Sequence, residues 1–147
     1  MKNTNSRGQA MVELALVLPL FLIVVLGIID FGINLHVWAT LNQQCVQAAR
    51  AGTKRINQLV ARDMFTPSTH APLSDVETAF WHYRSPLMPA ANYQNITFDG
   101  VSSFSQTVTV RAQFNATLYT PFLGSMVGSE NGDGKLTLTA VASERKE

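Results

Sequence analysis

The chain changes character three times along its length. From Leu14 to Ile29 there are sixteen consecutive residues without a charge. A helix rises about 1.5 Å per residue and a bilayer's hydrocarbon core is about 30 Å thick, so a span takes about 20 residues. Extending the run back to Ala10 gives twenty residues, with Glu13 near one end and Asp30 just beyond the other. Both acids then lie at or near the interfaces. Pro19 removes one backbone hydrogen bond, which membrane helices tolerate better than soluble ones do.

Beyond Asp30 the pattern becomes periodic. Trp38, Leu41, Cys45, Ala48 or Ala49, Gly52, Ile56 and Leu59 or Val60 recur in steps of three and four. That spacing predicts an amphipathic helix continuous with the apolar run, reaching about Met64, where "TPSTHAP" stops it. Asn42, Gln43, Gln47, Arg50 and Lys54 fall largely off the stripe. The small residues Ala48, Ala49, Ala51 and Gly52 permit close approach, either of the chain's own sheet or of a partner subunit. Cys45 reads as a small core residue.

The period then shifts to two. "NITFD", Thr107–Leu118 and the stretch around Leu136–Ala142 alternate apolar and polar positions, which predicts an antiparallel sheet with one wet face. The first two strands can pair through "GVSSFS". A short helix, "DVETAFWHYR", precedes them, with Ser74 and Glu77 in a capping-box pattern and Pro86 after it. The fold class is therefore α+β: a long N-terminal transmembrane-plus-amphipathic helix packed on a small antiparallel sheet.

Composition adds exclusions. The 147 residues carry a net charge of +1, so no basic field favours nucleic acid. One cysteine forbids an intramolecular disulfide, and three scattered histidines offer no zinc spacing. "SENGDGK" lacks the ligand spacing of a calcium loop. No nucleophile elbow, zincin or phosphate-loop motif is present, so no catalytic residue, metal, cofactor or small-molecule substrate is expected.

Lys2, Arg7 and the initiator amine precede the apolar run, while Arg50 is the first cation after it. The positive-inside rule puts the N-terminus in the cytoplasm and the C-terminal domain outside. An ordinary secretory signal would place a small-residue cleavage site after the apolar run, and "DFGINLHVWATLNQQ" has no convincing one. A plain anchor leaves Glu13 unexplained.

"RG" followed by "QAMVE" resembles a type III, prepilin-type signal. That resemblance implies cutting between Gly8 and Gln9, with Glu13 as the fifth mature residue. A carboxylate well inside a bilayer costs about 2.5–3.5 kcal/mol, which favours finding a cation. The new amine of Gln9 on a neighbouring subunit is one candidate. An intramolecular i,i+4 contact with residue 9 is a second, and the helix dipole acting on a first-turn acid is a third.

The match extends further. Val12-Glu13, Ala15-Leu16, Leu18-Pro19, Gly27-Ile28-Ile29-Asp30-Phe31-Gly32 and Ala48-Ala49-Arg50-Ala51-Gly52-Thr53 resemble the TadE-like family of the tight-adherence (Tad, or Flp) type IVb pilus. The resemblance implies a pilin-like minor pilin or pseudopilin acting in assembly or priming. It implies as partners the prepilin peptidase, other Tad pilus subunits, the inner-membrane platform and the lipid bilayer. It also implies a bacterial inner-membrane location with a periplasmic C-terminal domain, or a place in a cell-surface pilus serving adhesion. Four segments follow: a leader (1–8), a transmembrane helix (9–35), an amphipathic stem (36–65) and an outer α+β domain (66–147). A major filament subunit and a single-pass sensor or receptor are the alternatives.

Overall fold

The computed structural model describes residues 5–53, 73–101, 107–120, 124 and 134–145. Its dominant element is one unbroken helix, α1, from Asn5 to Thr53. Pro19 lies inside it. As the continuous apolar pattern predicts, the helix passes from the uncharged run into the amphipathic stretch without a break. The expected continuation of the stem toward Met64, the "TPSTHAP" stop, and most of the glycine-rich link lie outside the described residues.

The second helix, α2, spans Leu73–His82. It includes Ser74 in its first turn, where the Ser74 carbonyl accepts a hydrogen bond from the Thr78 hydroxyl at 2.7 Å. The capping-box expectation is thus corrected: a residue inside the first turn already has helical backbone and does not act as the N-cap. Phe80 is fully buried, whereas Trp81 packs edge-on against Phe80 and Tyr93 and stays partly exposed.

Three strands follow: β1 (Tyr93–Asp99), β2 (Thr107–Thr117) and β3 (Lys135–Arg145). They form one antiparallel sheet in the order β1-β2-β3. The β2–β3 ladder is regular from Thr107 opposite Arg145 to Thr117 opposite Lys135. The β1–β2 register shifts between Gln94 and Thr97, where Asn95 takes φ +49°, a left-handed conformation that asparagine tolerates.

The alternation of β2 settles which face is inward. Val108, Val110, Ala112, Phe114 and Ala116 are buried, with Ala140 and Ala142 beside them from β3. This face packs on α1, and α2 closes the same core through Val76 and Phe80. At Gly52 the helix lies tight against β2 and α2: a Cβ there would stand 3.0 Å from Val108 Cγ1 and 3.3 Å from Val76 Cγ2. The small-residue stretch of α1 therefore serves the chain's own core.

Candidate functional site: the exposed half of α1 and its anchor

The two halves of α1 meet different surroundings. From Gly8 to Ile29 only Val25 and Gly27 are even partly covered, and Met11 and Leu16 are each 74% exposed. Burial begins abruptly at Asp30 and then recurs at Asn34, Val37, Leu41, Gln44, Cys45, Ala48 and Ala49. The stripe is one residue out of phase with its expected start, since Val37 is buried where Trp38 was expected, and Trp38 is 47% exposed. A helix steps 100° per residue, so once Leu41 and Cys45 face the sheet, Val37 aligns with them and Trp38 is turned aside.

Asp30 is the residue that the pattern along the chain does not reveal. Its carboxylate accepts hydrogen bonds from the Tyr119 backbone N–H at 3.2 Å, the Thr120 backbone N–H at 3.0 Å and the Thr120 hydroxyl at 2.7 Å. Asn34, one turn on, donates its amide to the Asp30 backbone carbonyl at 2.8 Å. Hydrogen bonds to a charged acceptor are the stronger kind, each worth about 1.5–3 kcal/mol. Asp30 thus ties the end of β2 to α1 where the helix leaves its bare stretch. A signal for this existed: an acid at the end of an apolar run is costly unless partnered.

Gln44 makes a second polar tie. It donates to the Phe80 carbonyl at 3.1 Å and accepts from the Tyr93 hydroxyl at 2.8 Å. Burial pushes the Tyr93 phenol up, partly offset by that bond to Gln44. Cys45 lies deep in the core, where burial pushes its thiol up to about 11. A thiol held that high is no nucleophile at neutral pH.

The residues singled out by the prepilin-type pattern lie together at the other end of α1. Gly8 is exposed, and a Cβ on it would meet nothing within 4 Å. Glu13 is exposed and accepts a hydrogen bond from the Gln9 side chain at 3.4 Å. Because α1 already begins at Asn5, Glu13 stands eight residues into the helix in the uncut chain. The dipole effect falls off within the first turn, so it does not reach Glu13 unless the helix is shortened. Cutting after Gly8 would do that. Glycine inside a helix costs about 1 kcal/mol relative to alanine, which makes local opening at Gly8 cheaper.

Among the described residues no group of His, Cys, Asp and Glu is placed to hold a metal ion. Among the same described residues one helix is long and apolar enough to cross a membrane.

Residues 8–53 match the family model described as TadE-like protein. The match covers the glycine, Glu13, the whole apolar run, Asp30 and the buried stripe. No curated protein and no solved structure matches the chain.

Proposed function

On the premise that residues 8–53 carry the TadE-like signature, we propose that this chain is a minor pilin or pseudopilin of the Tad pilus. It acts in pilus assembly or priming and has no catalytic role of its own. A prepilin peptidase cuts between Gly8 and Gln9 on the cytoplasmic side, and the apolar half of α1 is retained in the inner membrane. The outer domain then stands in the periplasm, where it meets other Tad subunits and the assembly platform.

The observation that carries this reading is the bare helix from Gly8 to Ile29. Twenty residues of it, from Ala10, match the thickness of a hydrocarbon core at about 1.5 Å each. Glu13 is the one charged side chain in that stretch. Its cost in lipid, about 2.5–3.5 kcal/mol, falls if it pairs with the amine freed on Gln9 of a neighbouring subunit. Such a pair would set the stagger between subunits.

The test is Glu13→Gln. Glutamine is isosteric and cheaper to bury, so insertion and processing should persist while incorporation into pili, or priming of them, falls sharply. Pilus counts and co-purification with the assembly machinery read the outcome. Wild-type levels of both would sink the pairing role.

A further inference from the structure

The clamp at Asp30 leaves a recess between the outer domain and the helix. It measures about 340 Å³ and is lined by Leu26, Ile29, Asp30, Ile33, Tyr119 and Thr120. Its polar groups are engaged, since the Asp30 carboxylate already binds Tyr119 and Thr120. What remains to face an occupant is aliphatic wall and the Tyr119 side chain, which is 69% exposed. A smaller recess next to it is bordered by Leu87 as well as Tyr119, and Leu87 is 53% exposed.

Placed on the ruler of the span, the recess sits across its end. A core running from Ala10 to Ile29 includes Leu26 and Ile29 and excludes Asp30 and Ile33. The turn at Tyr119 and Thr120 therefore overhangs about one helical turn of lipid-facing α1. We propose that this rim of the outer domain rests in the bilayer interface, with phospholipid filling the recess and Tyr119 acting as an interfacial anchor. The continuity of the recess with the bare helix selects lipid as the occupant. Tyrosine suits the position because its ring is apolar and its hydroxyl reaches the headgroups. Asp30 would then fix the height and rotation of the domain on the membrane.

This inference rests on the reading of α1 as a membrane span, and the experiment separates the two. The full chain is reconstituted in phosphatidylcholine vesicles brominated either high on the acyl chain or near its end. Tryptophan reporters are placed singly in a Trp38→Phe, Trp81→Phe background. Phe21→Trp, at mid-span, should be quenched most by the deep bromines. Tyr119→Trp should be quenched most by the shallow ones, and Leu87→Trp should follow it more weakly, which reads the same rim if the first variant misfolds. An unquenched Phe21→Trp would reject the span itself. A quenched Phe21→Trp with no loss of emission from either rim reporter would overturn the inference alone. Preferential deep quenching of Tyr119→Trp would overturn it too.

Discussion

The two halves of α1 share one backbone and follow opposite rules. In the Asp30–Thr53 half, apolar side chains are selective: Leu41 and Cys45 are wholly buried while Leu35, close by, is 48% exposed. In the Gly8–Ile29 half every large apolar side chain except the partly covered Val25 lies bare, whatever direction it points. A protein core covers a helix on one face only and so demands a stripe. A hydrocarbon solvent covers it on all sides and demands none. The difference is the one the proposed membrane span calls for, two solvents along one helix, with the change in burial at Asp30.

The largest contrast should appear on trimming one leucine in each half. Leu41→Ala opens a cavity between α1 and the sheet and should destabilise the outer domain by about 2–5 kcal/mol. Leu20→Ala removes the same atoms from the bare half and should leave domain unfolding within about 0.5 kcal/mol of the parent. Thermal unfolding of both variants in nanodiscs, followed by near-UV circular dichroism, reads the contrast. Equal losses would dissolve the distinction between the halves.

Asp30→Ala sharpens where the boundary lies. It strips the partner from two backbone N–H groups and a hydroxyl, and should cost at least the worth of one such bond, about 1.5–3 kcal/mol. Hydrogen exchange should rise at Tyr119 and Thr120 while exchange at Val110 and Ala112 changes little. Unchanged protection at Tyr119 would show that the clamp is not what holds that turn.

The smallest effect concerns Cys45. A thiol with an ordinary pKa near 9 and a folded value near 11 favours the neutral form in the folded state. Its contribution to stability is whole below pH 9 and is lost as pH rises from 9 toward 11. At pH 8 the folded protein should react slowly with an aromatic disulfide reagent, and denaturant should release rapid labelling. Fast labelling without denaturant would place the thiol outside the core.

Much of this arrangement is legible in the sequence because it depends on local period. The switch from an uncharged run to a three-four stripe to a two-residue alternation gives β2 and β3 within a few residues, and α1 over its described length. The polar ties are not local. Asp30 binds Thr120 ninety residues away, and Gln44 meets Phe80 thirty-six residues on. No spacing rule links such pairs, so Asp30 reads only as an interfacial acid and Gln44 as nothing in particular. The phase error at Trp38 has a related cause. An aromatic ring looks like core in a period count, yet only the orientation of the docked sheet decides between neighbouring positions. The prepilin-type reading of Gly8, Gln9 and Glu13 rests on a short linear string instead of a period, and it stands as part of the proposal.

The central claim is that the chain loses its first eight residues, Met1 to Gly8, before α1 enters an assembly. Intact-mass and N-terminal peptide analysis of the protein recovered from membranes or pili of its native host tests this most directly. The account predicts a mature chain that begins at Gln9 with Glu13 as its fifth residue. Recovery of the assembled protein with Met1 or Lys2 still attached, or with a terminus near Leu41, would contradict it.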